Sequence, residues 1–202
     1  MSKVNELKSH LKPGMVYRRA DLSKWSKAVD RHVILLLKNG TLQKLKTGLY
    51  YYPEESVFGQ TPPNEETLVR TFLKDNYFLL TSLNDYNSLG VGTTQLYNKR
   101  VVYNHKRHGE FKLGSKTYSF RIKPRFPLKA SPEFLLVDLV NNLNNVAEDA
   151  KLLMENVKER AKKMDLKKLK RTVNAYGGVR ARILFLPIIQ NAQLGNADRL
   201  SS

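Results

Sequence analysis

The chain has 202 residues, 41% of them hydrophobic, enough apolar material for one or two packed domains and too much for wholesale disorder. Thirty-five Lys and Arg face 18 Asp and Glu, a formal net charge of +17, spread along the chain and not held in a tail. There is no cysteine, which excludes disulfides, thiolate chemistry and cysteine-ligated zinc.

A balance of this kind favours a polyanionic partner, because each phosphate that a cation neutralises releases condensed counterions. A merely soluble basic protein is the bland alternative. An anionic membrane surface is a weaker rival, since the basic helices carry no aromatic insertion face. The opening MSKVNELKSHLKPG lacks the apolar core of a signal peptide. No run approaches the roughly 18 apolar residues that a membrane span needs. The expectation is a soluble cytoplasmic protein.

Residues 3–11 read as a short helix with Val4, Leu7 and Leu11 on one face, ended by Pro13-Gly14. Val16-Tyr17 is a brief extended piece, and Arg19 to Trp25 a second short helix. Ser26 is placed to cap a third helix. On its wheel, Ala28, Val29, His32, Val33 and Leu36 point inward, and Lys27, Asp30, Arg31, Ile34 and Lys38 point outward. Gly40 stops it, and Thr41–Lys46 and Gly48–Tyr52 alternate as a hairpin that turns at Gly48. Thr61-Pro62-Pro63-Asn64 is the clearest boundary, so residues 1–60 are expected to form one domain and 64–202 another.

The second region opens with a helix at Glu65–Lys74, followed by a partly helical segment around Tyr77–Leu89. Strands at Arg100–Lys106, Glu110–Leu113 and Thr117–Lys123 are expected to form a small antiparallel meander. In the last of them Tyr118, Phe120 and Ile122 share one face, and Thr117, Ser119, Arg121 and Lys123 the other. Ser131-Pro132-Glu133 starts a helical final third, with Asp165 capping a later helix that Gly177 closes. Val179–Ile189 reads as a last helix, with a strand as the alternative, and a frayed tail from Gln190. The fold class is therefore α+β: an N-terminal winged helix-turn-helix, then a mixed domain with a small antiparallel sheet and a helical C-terminal part.

The helix and hairpin of residues 26–52 carry the functional reading. Lys27 and Arg31, one turn apart, can enter a major groove together, and an arginine taking a guanine in bidentate fashion is worth ~1–3 kcal/mol of discrimination. Asp30 can orient Arg31 or accept from a cytosine amine. Ile34 can touch a thymine methyl or pack under the wing. Lys44 and Lys46 on the wing, and Arg18, Arg19 and Lys24 by the second helix, are placed for backbone phosphates. The competing reading is a protein-interaction module. Arg121, Lys123 and Arg125, with Lys106 and Arg107, form either a second polyanion surface or a solvated sheet face. Lys167, Lys168, Lys170 and Arg171 read as a plain charged helix surface.

No nucleotide-binding, metalloprotease or serine-hydrolase motif occurs, and His10, His32, His105 and His108 show no ligand spacing. His32 reads as a packed histidine. Gly90-Val91-Gly92-Thr93-Thr94 has the small residues of a phosphate loop without its lysine, and reads as a tight turn. Catalysis, a cofactor and a metal are not expected.

Three stretches in order resemble the AbiEi family of type IV toxin–antitoxin antitoxins. They are Leu45-Lys46-Thr47-Gly48-Leu49-Tyr50-Tyr51-Tyr52-Pro53, Thr81-Ser82-Leu83 through Leu89-Gly90-Val91-Gly92-Thr93-Thr94-Gln95, and the strands that follow, together about residues 1–125. The resemblance implies a winged helix that binds inverted repeats in double-stranded DNA of its own promoter. It also implies a C-terminal region that counters a nucleotidyltransferase-like toxin. Ser26, Lys27, Asp30 and Arg31 then match the recognition helix, and Lys44 and Lys46 the wing; nothing carries over to the residues after Ser131. The alternative is a stand-alone winged-helix regulator with a sensing or interaction domain.

Overall fold

The computed structural model describes residues 3–198. In chain order its elements are α1 (Lys3–Ser9), β1 (Val16–Arg18), α2 (Arg19–Leu22), α3 (Val29–Lys38), β2 (Gln43–Lys46), β3 (Leu49–Tyr51), β4 (Glu55–Ser56), β5 (Gly59–Gln60) and α4 (Glu65–Leu73). There follow β6 (Leu79–Ser82), a 3₁₀ turn (Leu83–Leu89), β7 (Lys99–Asn104), β8 (Gly109–Leu113), β9 (Lys116–Ile122), α5 (Pro132–Asn141), α6 (Ala150–Lys162), α7 (Leu166–Tyr176) and α8 (Val179–Asp198). The architecture is α+β with small antiparallel sheets. The chain forms two units, Met1–Phe78 with Lys106–Tyr118, and Leu79–His105 with Ser119–Ser202. The division is not at Pro62-Pro63: α4 counts with the first unit, as does the β8 hairpin from much later in the chain.

In the first unit Leu7, Leu11, Tyr17, Leu22, Val29, Val33, Leu36 and Leu42 make one core, with Trp25 and Tyr50 packed against it. The positions 29, 33 and 36 fall on one face of α3, which is why that face is inside. Beside the helices lies a sheet of order β1-β3-β2, with Val16 opposite Tyr51 and Lys44 opposite Tyr50. Gly48 turns the hairpin at φ +78°. The open edge of β2 is partly closed: Gly114 N–H, in the turn from β8 to β9, donates to the Leu45 carbonyl at 3.0 Å. Gly114 sits at φ +65°, and a methyl group there would lie 3.2 Å from Leu45 Cδ2. Gly114→Ala is therefore expected to cost about 1–2 kcal/mol in urea unfolding. No change would mean that the turn is not held against β2.

In the second unit β6 pairs antiparallel with β7, Leu79 opposite Tyr103 and Ser82 opposite Arg100. The segment 77–89, expected to be partly helical, thus supplies a strand before its 3₁₀ turn. The four-stranded sheet runs β6-β7-β9-β8, so the expected meander is corrected: β9 and not β8 lies next to β7. A seven-residue strand with Tyr118, Ser119 and Phe120 all buried belongs inside a sheet, while the shorter, half-exposed β8 suits an edge.

α5 starts as expected, with Ser131 Oγ accepting from Phe134 N–H and Pro132 in the first turn. It is buried from Phe134 through Val140. Asp149 and Asp165 cap α6 and α7. The core joins Leu136, Val140, Leu153, Val157, Leu169, Val173, Phe185 and Ile189 from all four helices. α8 is a helix and continues to Asp198, so the expected fraying from Gln190 is corrected. No helix among the described residues is long and apolar enough to cross a membrane.

Candidate nucleic-acid interface

The outer side of α3 presents Asp30, Arg31, Ile34, Leu35 and Lys38 to solvent. Ile34 is 52% and Leu35 41% exposed, so this face carries apolar surface beside its cations. Lys24 and Lys27 are also exposed; with Lys3 they rim a hollow of about 400 Å³ beside Trp25. The helix begins later than its sequence suggests, with Ala28 at the cap position and no side-chain cap. Lys27 therefore lies on the connection before the first turn, not one helical turn from Arg31.

Ser26 is corrected as both cap and DNA contact. Its side chain is buried, and Oγ lies 2.8 Å from His32 Nδ1. The packed reading of His32 stands: it is 8% exposed and held by this bond. Ser26→Ala, which leaves the ring nitrogen buried without its partner, is expected to lower stability by about 1 kcal/mol in thermal or urea unfolding. An unchanged midpoint would show that the bond adds nothing.

Asp30 is corrected in its partner. It takes Arg19, not Arg31, through two hydrogen bonds of 2.6 Å that tie α2 to α3. The Arg19 hydrogen bonds hold the Asp30 carboxyl below its ordinary range. Arg18 is also engaged: its guanidinium donates to Asp21 at 3.2 Å, and its backbone N–H donates to the same carboxylate at 3.1 Å. Arg31 is exposed and has no ion pair among the described residues. On the hairpin Lys44 is exposed, whereas the Lys46 ammonium lies 5.3 Å from the centre of the Phe111 ring. Arg31, Lys24, Lys27 and Lys44 are the cations best placed for phosphate or base edges, with Arg19 presented in a fixed pose by Asp30.

The second basic surface does not form as expected. Lys106 pairs with Asp75 at 3.1 Å, and the Arg107 guanidinium covers Phe72 at 4.6 Å. Arg121 donates to Asn142 Oδ1 at 2.7 Å. Lys123 reaches Asp138 Oδ1 at 3.2 Å and lies over the Tyr103 ring. Arg125 alone of the β9 row stays exposed. Lys123 meets Asp138 of α5 and Arg121 meets Asn142 at its end, so these two cations form neither the polyanion surface nor the solvated face; Ile122, on the side of Tyr118 and Phe120, is 52% exposed.

Behind that row is a buried polar cluster that the sequence pattern does not announce. Asp138, 2% exposed, accepts from the phenols of Tyr86 (2.9 Å) and Tyr103 (2.8 Å). The Asn142 amide nitrogen lies within 3.2 Å of both phenol oxygens. Burial first, and the Asp138 charge second, push both phenols above the ordinary tyrosine range, so they stay neutral donors. The one signal in the sequence is Asp138 and Asn142 at i and i+4 in the otherwise apolar PEFLLVDLVNN.

The Gly90–Gln95 turn faces an acid. Thr94 and Gln95 N–H groups donate to Glu148 Oε1 at 3.1 and 3.3 Å, and Asn156 holds the Val91 carbonyl at 3.0 Å. Amides already aimed at a carboxylate do not cradle a phosphate. Among the described residues no group of three His, Asp or Glu stands together to hold a metal ion.

Among solved structures the chain is similar to the RV2827C protein from Mycobacterium tuberculosis, with TM-score 0.56 and 15% identity over 93% of this chain and 74% of that one. At that identity the likeness is one of fold. No protein-family model matches the chain. No curated protein matches it.

Proposed function

We propose that residues 1–60 form a winged helix-turn-helix, with α3 as recognition helix and β2–β3 as wing, and that the protein is a DNA-binding transcriptional autorepressor. The observation that carries this is the outer face of α3: Arg31 with no ion pair among the described residues, flanked by exposed Ile34 and Lys38 and preceded by exposed Lys24 and Lys27. A cation that can reach a guanine, beside an apolar group that can meet a thymine methyl, suits a major groove better than it suits solvent. The charge of +17 supplies the sequence-independent part of the affinity. Its site is inverted-repeat DNA in its own promoter. The test is a gel shift on DNA upstream of its own gene against scrambled DNA. Equal affinity for both would leave only a non-specific polyanion binder.

Lys44→Ala is expected to weaken binding to all sequences alike and to reduce the slope of log K against log salt by about 0.9, one phosphate's worth. An unchanged slope would take the wing off the contact surface.

The antitoxin half of the reading rests on the family resemblance over about residues 1–125. We propose that the second unit serves to counter a nucleotidyltransferase-like toxin in the cytoplasm, with no catalysis or cofactor of its own. Co-expression with the neighbouring gene tests this: growth arrest that this chain relieves supports it. A neighbour harmless on its own would favour the stand-alone regulator.

A further inference from the structure

Two exposed apolar features are left without a role by the DNA reading. The first is the tip of the β4–β5 hairpin, where Val57 is 93% and Phe58 98% exposed. The tip is firmly built: Ser56 Oγ accepts from Phe58 N–H and donates to the Gly59 carbonyl, and Gln60 donates to Glu55. Gln43, at the end of β2 remote from the wing turn, donates to Gln60. The hairpin therefore leaves the sheet at the end away from Gly48, and its Glu54 and Glu55 would repel phosphate.

The second feature is a shallow groove of about 620 Å³ between α6 and α8, floored by Met154, Val179, Ile183 and Pro187 and rimmed by Arg180 and by Lys158, whose ammonium also pairs with Glu155 on the exposed side of α6 at 2.8 Å. Val179 is 76% and Ile183 71% exposed. Two such grooves pairing face to face would bring two Arg180 guanidinium groups, neither held by an acid among the described residues, to one contact. An acidic partner with an apolar tip fits, and this chain carries one.

We propose that the Val57-Phe58 hairpin of one copy of this chain docks into the α6–α8 groove of a second copy. Phe58 and Val57 lie against Ile183 and Val179, and Glu54 and Glu55 meet Lys158 and Arg180. The contact is heterologous, so copies can chain unless two hairpins are exchanged reciprocally. One hairpin covers far less than the ~1,200 Å² of a stable interface, so the association is weak and concentration-dependent. It uses no residue of the α3 face and stands apart from the DNA reading.

The test is analytical ultracentrifugation of the full chain without DNA at physiological salt, from tens to hundreds of micromolar. The average mass is expected to rise with concentration. Phe58→Ala and Ile183→Glu should each weaken association at least tenfold without shifting the thermal melt, since both side chains are exposed. Mixing the two variants should restore a complex that stops at one pair, because the Phe58→Ala groove still accepts the Ile183→Glu hairpin. Glu55→Lys and Lys158→Glu chains should likewise associate better mixed than alone, which keeps the test open if an apolar variant fails to fold. Arg31→Ala should associate like the parent. A parent that stays monomeric, or mixtures no heavier than their components, would overturn the proposal.

Discussion

Replacing Arg31 and Lys27 together by Ala is expected to abolish discrimination between operator and scrambled DNA, lowering operator affinity by roughly two to three orders of magnitude. Arg31 carries the larger share. It is exposed, on the outer face of α3, and not committed to an acid among the described residues. On the proposed reading a bidentate contact from it to a base would be worth ~1–3 kcal/mol, and Lys27 would add a phosphate or groove contact from the turn before the helix. The fold should survive, because neither side chain belongs to the core of Leu22, Val29, Val33 and Leu36. Competition gel shifts and a thermal melt separate the two effects. Operator preference kept by the double variant at normal stability would remove α3 as the reading element. Arg19→Ala is the informative companion: it frees Asp30, whose carboxylate then faces the duplex uncompensated, so binding should fall on every sequence.

How much of the fold is legible in the sequence follows the range of the interactions involved. The helices at 3–9, 29–38, 65–73 and 132–141 follow from apolar periodicity and local caps, as do the turns at Gly40, Gly48 and Gly114. The same wheel puts Ile34 outside, where the structure has it. The errors lie where distant segments decide. Ser26 is a good cap by type, but the buried His32 takes its hydroxyl, and the cap position falls two residues later at Ala28. Asp30 has two arginines within reach by sequence, and tertiary packing brings Arg19. The β9 row alternates strictly, yet α5 covers the face with the cations, and Lys123 turns inward to a carboxylate 15 residues on. A single sequence states which residues can pair; it does not state which of several equivalent partners the fold delivers.

Asp138→Asn is expected to cost about 3 kcal/mol, more than either Ser26→Ala or Gly114→Ala. The carboxylate is 2% exposed and has three direct partners, Lys123, Tyr86 and Tyr103, which arrive from the residue after β9, the 3₁₀ turn and β7. An amide keeps the size but loses the charge and one acceptor oxygen, leaving Lys123 against apolar surroundings and the phenols competing for one carbonyl. The lower end of the range for breaking a buried pair applies, because the Lys123 side chain keeps 28% exposure and can turn to water. Removing both charges, as in Asp138→Leu with Lys123→Met, should recover part of the loss but not all, since two buried phenols still lack an acceptor. The same cluster sets an alkaline limit. Folding raises both phenol pKa values, so above about pH 10 the unfolded chain releases protons that the folded chain keeps. Their contribution is complete below that pH and is lost as pH rises through the folded values. Urea midpoints measured against pH should fall above pH ~10, and with Asp138→Asn the fall should level off at a lower pH, because the charge that adds to burial in raising the phenols is gone. A parent-like midpoint for Asp138→Asn at neutral pH would show that packing alone holds α5 to β7 and β9, with the carboxylate incidental to it.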